Sequence, residues 1–147
     1  MTVWPLAAAA FAALTIAAYA QDKAPQVERW ELMDAIGKEV KTMGGMAKRE
    51  IPYDAATVEN GLDVVIANGT KFPTLFPEGS ETGHDTRALP AIWDNKADFD
   101  AKAAAMVEAA EAAKAAAPNG LEAFTAEFRN LGQSCRACHT DYRAEKT

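Results

Sequence analysis

The sequence predicts an all-α fold, an antiparallel four-helix bundle with a long connection between the second and third helices. Apolar residues recur at three- and four-residue spacing in four segments, which is the period of an amphipathic helix. No segment of the sequence shows the strict apolar–polar alternation of a β-strand. The length of 147 residues suits one domain with a single buried core. Four amphipathic helices in such a chain must share that core, and an antiparallel bundle lets them do so.

The first helix is expected from Pro25 to about Lys48, because proline suits the first position of a helix, where its missing N–H would have had no partner. Asp54 can cap the second helix through its carboxylate. Asn68 and Gly69 form a common stop signal, so the second helix is expected to end there.

Residues 69–90 are rich in proline and glycine without a sustained period, and they form the long connection. The third helix follows this connection and ends at Pro118. Asn119 and Glu122 match the spacing of a capping box, so the fourth helix is expected to begin there and to run to about Tyr142.

The composition excludes several classes of protein. Hydrophobic residues make up 49% and charged residues 24%, so the chain is globular and not disordered. With 15 basic and 21 acidic side chains the net charge is −6, which argues against nucleic acid and anionic membrane surfaces as partners. Two cysteines are too few for a disulfide scaffold.

Residues 1–20 are predicted to be a cleaved secretory signal peptide. They carry no charged side chain and end in Ala18-Tyr19-Ala20, whose small residues suit signal peptidase. The alternative is an uncleaved N-terminal anchor, and the lack of Lys or Arg before the apolar run departs from the usual signal. Cleavage would leave residues 21–147 as an exported periplasmic domain with no stable membrane insertion.

The motif that carries chemistry is Cys135-Arg136-Ala137-Cys138-His139. On a helix its two thiols and its imidazole project to about the same side. That arrangement predicts one covalently attached haem c, with thioethers at Cys135 and Cys138 and iron bound by His139. The alternatives are a thiol redox pair and a zinc site that would need His84, the other histidine in the chain.

Helix geometry points to a candidate for the second iron ligand. In antiparallel neighbours, His139 and Met33 would lie roughly 7 and 12 Å from the same end of the bundle at 1.5 Å per residue. Met33 is therefore predicted to be this ligand, and the alternative is core filling. Met106 is expected near mid-bundle.

Arg29 lies one turn before Met33 and is predicted to pair with a haem propionate, the alternative being a solvated arginine. Trp30 is expected to be a packing residue.

Residues 25–145 resemble the class II c-type cytochromes, the family of cytochrome c′, whose haem motif lies near the C-terminus of a four-helix chain. The segments that carry the resemblance are Glu31 to Met33, Met43 to Lys48, Pro52 to Ala56, Leu75 to Pro77, Pro90 to Trp93 and Cys135 to Arg143. The resemblance is closer to the low-spin branch of the family, in which a methionine on the first helix is the sixth iron ligand. Met33 stands at the position of that methionine.

This resemblance implies an electron carrier rather than an enzyme, with redox proteins as its partners. It also allows a homodimer through the first two helices. The alternative within the family is a five-coordinate cytochrome c′ that binds NO or CO. Four basic residues near the haem end are either a local basic patch or a scattered solvated face: Arg129, Arg136, Arg143 and Lys146.

Overall fold

A computed structural model describes residues 23–145, and within them the chain forms helices and no β-strand. The predicted signal peptide lies outside these described residues. The α-helices are α1 (Pro25–Ala47), α2 (Ala55–Lys71), α3 (Ala91–Asp94), α4 (Lys96–Ala116) and α5 (Leu121–Tyr142). Two short 3₁₀ helices, Phe72–Leu75 and Ala117–Asn119, continue α2 and α4.

The four long helices form the predicted bundle, which confirms the fold class. Helix α1 packs against α2, α2 against α4, and α4 against α5. Helices α1 and α5 make few contacts with each other, which leaves a gap on that side of the bundle. Among residues 23–145 no helix has both the length and the apolar character that a membrane crossing requires.

The starts of the first two helices follow the expected local chemistry. Helix α1 begins at Pro25, as the sequence predicts. Asp54 is the N-cap of α2, and its Oδ1 accepts a hydrogen bond from the backbone N–H of Thr57 at 2.7 Å.

The second helix ends at Lys71, near the predicted Asn68 and Gly69, but Gly69 lies inside α2 and is not its stop signal. Gly69 is there for close packing against α4. A Cβ atom at this position would lie 2.7 Å from Met106 Cε and 3.1 Å from Val107 Cγ2. The missing side chain lets the two helices approach.

The third and fourth predicted helices also differ from the structure at their starts. The third is interrupted at Asn95, whose φ of −128° and ψ of 46° separate the single turn of α3 from α4. The capping box predicted at Asn119 and Glu122 is wrong. Gly120 is the N-cap of α5, with φ of 98°, and no side chain caps the helix. This positive φ favours glycine and turns the chain sharply between α4 and α5.

Two clusters of buried side chains form the core. The larger one joins α1, α2, α4 and α5 through residues such as Met43, Leu62 and Phe124. The smaller one links the connection after α2 to the haem-motif end of α5. Its aromatic rings meet edge to face, Phe76 with Phe99 at 4.7 Å and Phe99 with Tyr142 at 5.3 Å between centroids. The connection is therefore a packed part of the domain.

Arg29 ties this connection to α1. Its side chain is only 4% exposed, and its Nε and Nη1 donate hydrogen bonds to the carbonyl oxygens of Leu75 at 2.6 Å and Ser80 at 2.9 Å. Its Nη2 donates to the Ser80 hydroxyl. The guanidinium carbon also lies 4.0 Å from the centroid of the Phe76 ring, which stabilises the buried charge.

The far end of the connection is bonded to the chain just after α5. The Leu89 N–H donates to the carbonyl of Tyr142 at 3.1 Å, and the Ala144 N–H donates to the carbonyl of Arg87 at 2.8 Å. The Arg87 guanidinium in turn donates to the carbonyl of Ala144. The connection thus bridges the start of α1 and the end of α5.

We expect Gly69→Val to destabilise the protein by about 1–3 kcal/mol, because the added side chain overpacks the contact between α2 and α4. Gly132→Val is the matched control, since Gly132 lies in α5 with nothing within 4 Å of its Cβ position. The control should change stability by less than about 0.5 kcal/mol. Urea unfolding of the haem-loaded protein measures both, and equal losses would contradict the packing explanation.

We expect Arg29→Met to destabilise the protein by about 3 kcal/mol, because it leaves the carbonyls of Leu75 and Ser80 without their donor. Arg129→Met is the control, because Arg129 is exposed and within residues 23–145 forms no ion pair. Its stability should change by less than about 0.5 kcal/mol. Urea unfolding provides the comparison, and the interpretation fails if Arg29→Met matches the control.

Candidate haem site

A cavity of about 450 Å³ occupies the gap between α1 and α5, within the size range of cofactor pockets. Helix α4 and the connection after α2 close its remaining sides. Its wall is mainly apolar and includes Met33, Ile36, Val40, Phe72, Phe76, Ile92, Phe99, Ala103 and Met106. Its rim is polar and includes Gln26, His84, Arg87, Lys102 and Arg143. An apolar interior with a charged rim suits a flat apolar ring that bears acidic substituents at one edge.

Helix α5 brings the motif to this cavity as the sequence predicts. Cys135, Cys138 and His139 all line it. Both cysteines are free thiols and half-buried, so each is available to form a thioether. The donor set therefore fits a haem attached by two thioethers with imidazole as an iron ligand.

The environment of His139 favours the form that binds iron. Burial, with a smaller contribution from the charges of Arg143 and Arg87, lowers the pKa of the imidazole. A lowered pKa keeps the ring neutral at neutral pH, and neutral imidazole is the form that coordinates metals.

The alternative of a thiol redox pair is disfavoured by the same surroundings. Burial raises the pKa of the Cys135 thiol and of the Cys138 thiol. Reactive cysteines need the opposite shift, because the thiolate is the nucleophile.

The zinc alternative finds no ligand set in the part of the chain that the structure describes. Among residues 23–145, no three side chains of His, Cys, Asp or Glu are grouped so that they could hold a metal ion. His84 is exposed at the cavity rim, in the connection.

Two methionines line the cavity, whereas the sequence places Met33 alone near His139. Met33 reaches the wall from α1 and is half-buried. Met106 reaches it from α4, and its methyl group lies against Gly69 of α2. Met106 is thereby engaged in the contact between α2 and α4.

Arg29 also lines the cavity, but most of its donors are used within the protein. The alternative of a solvated arginine is wrong, since the side chain is buried. Burial lowers the pKa of this guanidinium and the charge of Glu81 opposes that change. Pairing of Arg29 with a haem propionate stays a prediction.

Trp30 is 67% exposed at the rim, so the expectation that it is a packing residue is wrong.

Lys102 and Tyr142 line the cavity beside the motif, although the sequence analysis does not identify either as a site residue. The Tyr142 hydroxyl donates to Asp98 at 2.5 Å, and this bond raises the pKa of Tyr142 to about 12. Lys102 pairs with both Asp98 and Asp141. The four-residue spacing of Asp98 and Lys102 is a signal that could have indicated part of this network.

Known proteins share this architecture and motif. A family model described as Cytochrome C′ matches residues 24–143. Cytochrome c-554 of Cereibacter sphaeroides is 40% identical over 147 aligned positions, which cover 95% of each chain.

Solved structures agree with the sequence comparison. Cytochrome c′ from Rhodopseudomonas palustris superposes with a TM-score of 0.81 and 34% identity, covering 85% of this chain and 99% of that one. The nitric oxide complex of a mutant of cytochrome c prime from Alcaligenes xylosoxidans gives a TM-score of 0.74 and 29% identity, covering 82% and 94%. The chain therefore belongs to the cytochrome c′ family of c-type cytochromes, and it binds haem c through Cys135 and Cys138.

Proposed function

We propose that this chain is an electron carrier whose single haem iron is bound by His139 and Met33. The observation that carries the proposal is the cavity between α1 and α5, which these two side chains line from different helices. When bound, haem c supplies an iron that alternates between the ferric and ferrous states. Its redox partners would be other proteins.

The side chains of the cavity suit this role. Cys135 and Cys138 would hold the ring on α5 through thioethers, and the neutral imidazole of His139 follows Cys138 directly in sequence. The thioether of Met33 favours the softer ferrous iron, and the apolar wall disfavours the extra charge of the ferric form. Both effects raise the reduction potential. If His139 and Met33 both bound the iron, the protein would leave no vacant position for a substrate, so we propose a carrier and not an enzyme.

A second candidate function is the binding of NO or CO by five-coordinate iron, with Met33 only covering the distal side. The comparisons favour this candidate, because the matching family model is described as Cytochrome C′ and one similar solved structure is a nitric oxide complex. The thioether of Met33 in the cavity wall favours the electron-carrier function. The two candidates share the haem, the cavity and His139.

Export is part of the proposal. Removal of residues 1–20 would leave a periplasmic domain that begins at Gln21. N-terminal sequencing of the protein from the periplasmic fraction tests this point, and it is independent of the iron ligands.

We expect the native haem-loaded protein to be low-spin and indifferent to CO, and Met33→Ala to be high-spin and to bind CO stoichiometrically. The reason is that the substitution removes the thioether that we propose as the second iron ligand. Met106→Ala is the matched control, because Met106 also lines the cavity but packs against α2. Its spectrum should stay low-spin. Visible absorption and electron paramagnetic resonance, with and without CO, give the readout.

Two results would contradict the carrier proposal. Native protein that is high-spin and binds CO would support the second candidate instead. Spectra that do not change in Met33→Ala would remove Met33 as a ligand.

A further inference from the structure

One side of α5 and its C-cap carry a row of arginines. Arg129 and Arg136 are seven residues apart on α5, so they project from nearly the same side of the helix, and Arg143 follows the last helical residue as the C-cap. All three side chains are exposed. At 1.5 Å per residue the row spans about 21 Å.

These arginines are not neutralised by carboxylates. Within residues 23–145 none of them forms an ion pair within 4.0 Å, whereas six lysines and Arg49 do. The carboxylates next to them on α5 have other partners. Asp141 pairs with Lys102, and Glu127 accepts a hydrogen bond from Asn130. The row therefore presents net positive charge to solvent.

The row lies beside the haem site. Arg136 is inside the attachment motif, and Arg143 lines the cavity. Arg87 lines it too, and the bonds between this residue and Ala144 hold it next to the end of α5. Arg143, Arg87 and His139 all line this one cavity, so both arginines lie near the predicted iron ligand. We call Arg87, Arg129, Arg136 and Arg143 the arginine face.

We propose that the arginine face is the docking surface for an acidic patch on the redox partner protein. This proposal rests on the proposed electron-carrier function. A local positive face on a chain of net charge −6 orients an acidic partner, because it attracts the partner while the net charge of the chain repels it. The favoured orientation brings the partner to the side of the protein where the haem is attached, and a short distance there favours electron transfer.

A protein partner fits these charges better than an anionic membrane does. A bilayer surface is broad and meets the field of the whole chain, which is net negative. A partner of similar size meets mainly the one face that it contacts, because charges beyond about 10 Å are screened at 0.1 M salt.

The test compares two charge-reversal variants of the haem-loaded protein. Arg129→Glu/Arg136→Glu alters the arginine face. Lys41→Glu/Lys48→Glu is the control, because these lysines are also exposed, seven residues apart on one stretch of chain, and free of ion pairs within residues 23–145. Both variants change the net charge by the same amount. The probe is flavodoxin, an acidic electron-transfer protein.

Two measurements are made at an ionic strength of about 10 mM. Stopped-flow absorption measures the rate constant for electron transfer from reduced flavodoxin to the ferric iron, which becomes ferrous. Titration calorimetry measures the affinity of the ferric protein for oxidised flavodoxin, a pair that does not react. We expect both the rate constant and the affinity to fall at least about tenfold in the arginine variant and less than about twofold in the control. The difference between the two variants in rate constant and in affinity should decrease at about 0.5 M salt.

The proposal is overturned if the arginine variant shows no change, or if both variants change equally. It is also overturned if the native protein binds vesicles containing phosphatidylglycerol, and the arginine variant loses this binding but still reacts normally with flavodoxin. The spin state of the native protein is recorded separately. High-spin, CO-binding iron would refute the carrier proposal without altering the two flavodoxin measurements, so the two failures are distinguishable.

Discussion

The gap between α1 and α5 is the constraint on which the rest of the structure depends. The other neighbouring pairs of long helices pack directly, whereas here an apolar cavity of about 450 Å³ separates the two helices. Side chains that line an unfilled cavity lose dispersion contacts and gain little from burial, so the bundle is complete only with its cofactor. The three-and-four spacing of Cys135, Cys138 and His139 places all of the attachment chemistry on the side of α5 that faces this gap.

The connection after α2 links the two helices that the cavity separates. Arg29 of α1 bonds to its first half, and the chain around Ala144, just after α5, bonds to its second half. Its aromatic side chains complete the small core cluster beside Cys138. A segment that is irregular in sequence thus sets the distance between the helix that bears Met33 and the helix that bears His139.

Local sequence signals predict the helices and the attachment motif, and they fail where a distant residue decides the outcome. Pro25 and Asp54 begin helices through chemistry within one turn, so both could be identified. Gly69 resembles a stop signal, yet it serves a contact with Met106 on another helix, which no local pattern reveals. The partners of Arg29 lie 46 and 51 residues away, so its burial could not be predicted either.

The position of the attachment motif near the end of the chain has a consequence for biogenesis. Synthesis proceeds from the N-terminus, so the residues of α1, α2 and α4 are made before Cys135 and Cys138. Maturation enzymes must act on the thiols while α5 is still accessible, because both thiols are half-buried once the helices close. Haem delivery and the last folding step are therefore coupled in time.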